Sequence, residues 1–377
     1  MRLTDIETPA LVLDAAKMRA NIDRMNATAR RLGVALRPHL KTGKSVEVAR
    51  AMTEGWSGAV TVSTLKEADE FFAAGCRDIL YAVGIASNKL AHAARLTQAG
   101  AQLTLILDSV AAAEAVAAFG RETGVRLPVL IEIDSDGHRA GVQPDDAATL
   151  DAIARALANG AELAGVMTHG GGSYNSTSAD GIAAHAEMER AGAVRAAEHL
   201  RAAGHACPTV SVGSTPTALF ARDLAGVTEL RVGVYVFFDL VMAGLGVCAP
   251  EDIAVGVLTS VIGHQAERGQ LIVDAGWMAL SRDRGTQGQV LDQGYGLVRD
   301  AEGGSLDDLV VVAANQEHGI VARRDGGPLD VARFPVGTLL RVLPNHACAT
   351  AAQHGAYRVV DGSDEITGTW PRFGGWS

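Results

Sequence analysis

From about residue 15 to residue 240, alanine-rich stretches with apolar positions at helical spacing alternate with short runs of β-branched and aliphatic residues. This is the pattern of helices laid over a parallel sheet. Eight such runs occur: VALRPHLK (34–41), AVTVS (59–63), ILYAV (79–83), LTLIL (103–107), PVLIEID (128–134), LAGVMTH (163–169), TVSVG (209–213) and TELRVGV (228–234). Helical stretches at 15–31, 109–121, 145–159 and 181–203 separate them, and eight strand–helix units are what a (β/α)₈ barrel requires. After about residue 250 the helical period stops. AVGVLTSVIG, GQLIVDAGW, DLVVVAANQ, TLLRVLPN and AYRVVDG follow, divided by Gly/Asp-rich turns, which predicts a mostly β domain. The expected division is a barrel over 10–245 and a β domain made of 1–9 and 246–377. The PALVLD strand near the N-terminus is able to pair with either.

Read at period two, VALRPHLK turns Arg37, His39 and Lys41 to one face and Leu36 and Leu40 to the other. On a barrel strand that face is the interior, near the C-terminal mouth where barrel enzymes place their chemistry. An enclosed lysine beside Arg37 would be biased towards the neutral amine that forms Schiff bases. The residues alone leave open a surface lysine at a strand-to-helix junction, with Lys44 as a decoy. Pro38 has no N–H for the ladder, so an irregularity is expected there.

The chain of 377 residues is 48% hydrophobic, enough for a large core and more than one domain. Its net charge of −10, with basic residues scattered singly, argues against nucleic acid as a partner. No apolar run has the length of a membrane span and the N-terminus lacks a signal-peptide core, so a cytoplasmic location is expected. Cys76, Cys207, Cys248 and Cys348 are expected as free thiols.

Two turns offer anion contacts. Strand seven ends in VGSTPTALF, where Gly213 lets backbone approach a ligand and Ser214, Thr215 and the next helix start present donors. Strand eight ends in RVGVY, where Gly233, Val234 and Tyr235 are placed similarly. Phosphate sites after strands seven and eight recur on barrels, although each turn alone reads equally as an ordinary cap. In PNHACAT, His346 and Cys348 at i, i+2 face one way on an extended segment, a donor pair suited to Zn²⁺. A buried cysteine beside an exposed histidine is the bland reading. Glu317 and His318 of QEHG are candidates to orient a ligating imidazole.

Together RPHLKTGKS, VSTLKEADEFFAAG, VGSTPTA, RVGVYVFFD, VDAGW, QEHG and PNHACAT resemble, nearly end to end, the fold-type III pyridoxal-phosphate family that contains D-serine dehydratase, D-threonine aldolase and D-threo-3-hydroxyaspartate dehydratase. The resemblance implies an alanine racemase-like barrel with a C-terminal β domain, acting as a homodimer on a small amino-acid substrate. Lys41 would carry pyridoxal 5'-phosphate. His169 would lie on the ring face, Tyr174 near the phenolic oxygen and Arg231 at an unprotonated ring nitrogen. His346 and Cys348 would hold Zn²⁺, or another divalent cation such as Mn²⁺. His-x-Cys is the pattern of the dehydratases, whereas the aldolases tend to have His-x-Asp.

FGRETG, IEIDSDGHRAGV and VDAGWMALSRDRGT are most similar to the 3-hydroxyaspartate branch, so ammonia and oxaloacetate are the expected products. A second substrate carboxylate needs a cation, and Arg139, Arg282 and Arg284 are the candidates, with His318 a further candidate to contact substrate. D-Serine giving pyruvate, D-threonine giving glycine and acetaldehyde, a non-catalytic carrier of the cofactor, and a barrel enzyme without it are the competing readings.

Overall fold

The computed structural model describes residues 1–137 and 139–376, with the side chain of Asp307 left aside. It divides into two compact units, Arg24–Gly233 and Met1–Asp23 with Val234–Gly374.

Strand β1 (Ala10–Asp14) opens the chain. The parallel sheet of the first unit then comprises β2 (Ala35–Leu36), β3 (Val60–Val62), β4 (Asp78–Gly84), β5 (Gln102–Leu107), β6 (Pro128–Ile133), β7 (Glu162–Thr168), β8 (Thr209–Val212) and β9 (Glu229–Leu230). These are the eight runs anticipated above, in the order β2-β9-β8-β7-β6-β5-β4-β3. The barrel closes between its ends. Leu40 N–H donates to Thr61 O and Thr61 N–H to Pro38 O, with His39 bridged to Thr61. On the other side Arg37 and His39 donate to Leu230 O and Val232 O. Pro38 is therefore accommodated by shortening β2 to two regular residues while single bonds continue the seam.

Local chemistry sets the helix starts. Thr64, Ser109, Asp146 and Ser178 each accept an N–H of the following first turn with their side chains, capping Leu65–Ala73, Val110–Thr123, Ala147–Ala158 and Ala179–Ala202. Leu80, Ile106, Leu130 and Met167 form a buried layer drawn from four adjacent strands. Leu130 shares its strand face with Glu132, and Met167 with His169, two residues on, so this apolar layer underlies the polar groups of the barrel mouth.

The second unit is a nine-stranded sheet. Beside β1 it contains β10 (Val255–Gln265), β11 (Gln270–Val273), β12 (Leu297–Asp300), β13 (Ser305–Ala314), β14 (Gly319–Arg323), β15 (Leu339–Leu343), β16 (Ala356–Val360) and β17 (Gly368–Pro371). PALVLD settles here: β1 pairs antiparallel with β10 and parallel with β16. With neighbours on both edges, Leu11, Val12 and Leu13 are buried, and Val12 packs with Leu3, Leu258 and Val360. By compactness β1 and Val234–Gly374 fall in the β unit, against expected bounds of 10–245 for the barrel and 246–377 for the β domain. No helix is long and apolar enough to cross a membrane among the described residues.

Candidate functional site

At the barrel mouth the seam delivers His39 and Lys41. His39 is buried, and burial first, then the charges of Lys41 and Arg231, hold its imidazole well below its ordinary range. Lys41 follows in a turn and is exposed, not enclosed, because the regular strand has already ended at Leu36. Nor is Arg37 its neighbour. That guanidinium is tied to Glu229 and Asp78, each at 2.8 Å, and to Val60 O, all at the opening residues of their strands, so it belongs to the opposite end of the barrel. The decoy Lys44 is engaged with buried Glu67 at 3.0 Å, which leaves Lys41 as the lysine presented at the mouth.

His169 follows β7 and is pressed down to about 3, by burial first, then by Arg231, Lys41 and Arg139. Its Nδ1–H points at Gly213 O, 3.5 Å away. The same charges acting on His39 and His169 show that Lys41, His39, His169 and Arg231 converge on one small region. Tyr174, in the turn Gly172–Asn175, stands with its ring centroid 6.5 Å from that of His169.

Arg231 is 5% exposed and donates through Nη2 to Thr168 O at 2.5 Å. Its Nε is buried with no acceptor among the described residues. Burial lowers its pKa, opposed by Glu229, Glu189 and Glu132. A rigid, buried donor lacking an acceptor fits an unprotonated ring nitrogen well and a protonated one poorly.

Two glycines make the mouth possible. Gly213 has φ +121°, and a Cβ on Gly233 would meet His39 O at 2.9 Å. Ser214 caps the helix Thr215–Phe220, and its own N–H donates to Thr217 Oγ1 at 2.9 Å. Buried Glu189, unmarked in the sequence reading, accepts from Gly170 N–H at 2.6 Å and from the Thr217 side chain, so it ties the glycine loop to this cap. Burial raises its carboxyl to about 7. Arg139 is 56% exposed, lies 3.2 Å from Glu132, and projects its charge onto His169 and Arg231. Val234 and Tyr235 open the β unit in the turn Val234–Val236, with Tyr235 buried.

In the β unit His346 and Cys348 do meet, but by a different geometry from the one expected. His346 is the N-cap residue of the helix Ala347–Ala351, and Cys348 lies in its first turn, so a helix start rather than an extended segment brings the thiol into hydrogen-bond range of the imidazole. The orienting partner is Asp283, which accepts from His346 Nδ1 at 2.9 Å. Burial would lower the imidazole's pKa; Asp283, Cys348 and Asp239 outweigh it and raise it to about 11. Asp239 is buried and accepts from Met242 and Ala347 N–H groups at 3.0 Å each, joining two helix starts. Asn345 holds the preceding turn through Asp283 O, Gly294 O and Thr286. Glu317 and His318, expected in the Asp283 role, are exposed in the turn from β13 to β14 and do not reach His346. Arg282 lies over the Trp277 ring at 5.2 Å, and Arg284 pairs with Asp292 at 2.7 Å. Arg284 is thus already paired, and Arg139 bears electrostatically on His169 and Arg231. No group of three or more His, Cys, Asp or Glu suited to a metal ion occurs among the described residues. A cation here would take two protein ligands, with Asp283 behind the first, and the soft–borderline donor set fits zinc.

Two family models match the chain, the alanine racemase N-terminal domain over residues 13–241 and a serine dehydratase domain over 254–360. The chain is 57% identical to D-threo-3-hydroxyaspartate dehydratase of Delftia sp. (strain HT23), over 99% of both proteins. It is 31% identical to D-serine dehydratase of Dictyostelium discoideum, over 97% of this chain and 96% of that one. The solved structure of the Delftia enzyme superposes with a TM-score of 0.97 at 56% identity, covering 100% of both chains. Variants of that enzyme have also been solved with a histidine or a cysteine two positions later replaced by alanine, the cysteine variant in a metal-free form. The chain belongs to the fold-type III pyridoxal-phosphate family that includes these D-hydroxy-amino-acid dehydratases.

Proposed function

We propose that the protein is a lyase that converts D-threo-3-hydroxyaspartate to oxaloacetate and ammonia, with pyridoxal phosphate in the barrel unit and a divalent cation, zinc by its donor set, on the β unit. The observation that carries this reading is the Lys41–His39–His169–Arg231 cluster with its orphaned Arg231 Nε, in a chain 57% identical throughout to a dehydratase for that substrate. Bound pyridoxal phosphate supplies the aldehyde that Lys41 and the substrate amine both engage, and an acceptor for the electrons left at Cα. A cation on His346 and Cys348 supplies a Lewis acid for the departing 3-hydroxyl.

The chain's own groups do the rest. Lys41 Nζ would hold the cofactor aldehyde and, as a free amine, would take the Cα proton as general base. His39 and His169 stay neutral there, so neither adds a cation that competes for an incoming carboxylate. Arg231 Nε, buried without an acceptor among the described residues, would donate to the ring nitrogen and keep it unprotonated, which would favour rapid expulsion of the leaving group. Ser214, Thr215, Gly213 and Gly233 would hold the phosphate, and Tyr174 would serve the phenolic oxygen. Arg139 binds the second substrate carboxylate. That the Delftia variant lacking a cysteine two positions after a histidine was solved in a metal-free form supports the cation assignment. A homodimer is part of the same reading.

The test is an absorption spectrum of zinc-loaded protein followed by D-threo-3-hydroxyaspartate, D-serine and D-threonine in turn, assaying ammonia, 2-oxo acids and glycine. Chelator-sensitive ammonia and oxaloacetate from the first, with a visible band lost in Lys41→Ala, is the expected result. Preferred formation of pyruvate from D-serine moves the substrate, glycine from D-threonine moves the reaction class, and the absence of a visible band removes the cofactor.

A further inference from the structure

Within the β unit lies a small, partly open pocket, about 10 Å³ for the centre of a water-sized particle, lined by Lys17, Glu251, Arg299, Gly303 and Arg341 among others. That is room for a single small occupant. The walls are cationic. Arg299 and Arg341 stand directly opposite each other in the β12–β15 register, where like charges on one sheet face repel. Both are buried, at 8% and 6% exposed. Lys17 adds a third charge, its pKa lowered by burial first and then, against the pull of Asp14, by Arg341 and Arg299.

Burial lowers the pKa of Arg341, opposed by Asp14, Glu302 and Asp300, yet none of these carboxylates reaches its Nε. Asp14 Oδ1 receives the Ala16 and Lys17 N–H groups as a helix cap, and Asp300 Oδ1 receives Gly304 N–H. Glu251 is 70% exposed and spends Oε1 on Arg299 at 3.0 Å. Arg341 Nε is buried without an acceptor among the described residues. The backbone is nevertheless shaped to admit this side chain, because a Cβ on Gly256 would stand 2.7 Å from Arg341 Cγ. An arginine kept inside, opposite a second one and beside a lysine, thus has carboxylates around it but a buried Nε–H that none of them accepts.

We propose that this cavity binds one small inorganic anion, of the size and charge of chloride, between Lys17, Arg299 and Arg341. This site is separate from the cofactor and cation assignments and stands without them.

The test uses the holoenzyme crystallised with bromide replacing chloride. An anomalous peak among the three cationic side chains is expected, and a featureless cavity overturns the proposal. Thermal unfolding in chloride against gluconate at fixed ionic strength is the second arm. Chloride should raise the wild-type midpoint by about 2–4 °C, and this difference should vanish in Arg341→Met. An equal difference in both proteins marks a general salt effect and overturns the site. Should Arg341→Met fail to fold, Arg299→Met serves for the same comparison.

Discussion

Asp283 and His346 are joined by a 2.9 Å hydrogen bond that fixes which imidazole nitrogen faces away from the carboxylate. The bond spans two loops far apart in sequence, and it directs Nε2 towards any cation shared with Cys348. Removing such a partner typically weakens metal binding by 10–100-fold. Asp283→Ala should therefore require about 10–100-fold more zinc for half-maximal activity, with activity restored at saturating metal. Zinc titration of chelator-stripped protein measures this, and an unchanged zinc requirement would refute the orienting role.

Lys41 is exposed in its turn, so its loss should not disturb packing. Lys41→Ala is expected to keep the wild-type circular dichroism and urea midpoint while turnover falls by about 10²–10⁴-fold or more. Lys44→Ala should do the reverse. It strands buried Glu67, lowering the urea midpoint while the visible cofactor band survives.

Arg139 reaches the histidine cluster electrostatically while remaining more than half exposed. Arg139→Ala should raise KM for the dicarboxylic substrate by about 10–100-fold, the range for losing a charge-assisted hydrogen bond, and leave KM for D-serine nearly unchanged. Parallel steady-state kinetics on the two substrates decide this. Equal losses on both would place Arg139 in general architecture.

The buried histidines give the apoprotein a pH signature. His169 sits at about 3 when folded and near 6.5 when unfolded, so between those values the unfolded chain binds more protons. Its contribution is fully present above about pH 6.5 and declines as pH falls towards 3, by up to about 1.4 kcal/mol per pH unit. His39 acts in the same direction. Glu189 acts oppositely: raised to about 7, it favours the folded state most below its unfolded value and loses that contribution as pH rises through 7. Urea midpoints of the apoprotein across this range should fall on acidification in wild type and fall less in His169→Asn. Glu189→Gln should remove the part of the profile centred near neutrality.

Gly233→Ala places a methyl 2.9 Å from His39 O. Backbone cannot yield there as a flexible side chain would, so a loss of about 1–3 kcal/mol is expected, with weakened cofactor retention. Urea unfolding and dialysis against cofactor-free buffer measure the two effects.

The barrel was legible because each strand is a short apolar run between helical stretches, and every run became a strand. Pro38 signalled its own irregularity. The segment that presents Lys41 is legible, but its enclosure is not, since the residue lies exposed in a turn. Arg37 shares its strand face, yet the barrel sorts the two residues to opposite ends, a separation that alternation alone does not express. The His346–Cys348 spacing was visible, although a helix cap rather than an extended segment unites them. Asp283 went unseen because sheet pairing, not local pattern, carries it to His346. Asp239 did leave a trace in FFDLVM, an aspartate immediately before an apolar helical turn. Glu189 left none, since a glutamate buried in a long amphipathic helix looks like its solvated neighbours.

The seam that closes the barrel also fixes when the lysine turn takes shape. Ala35 and Leu36 pair with Glu229 and Leu230, and His39 waits for Val232. During synthesis the residues leading to Lys41 leave the ribosome early, but their partners are made only after the other barrel strands have been translated. Long-range pairing of this kind forms late. Cofactor capture by Lys41 would then report a finished barrel, and a chain truncated before Glu229 should carry the lysine without the means to use it.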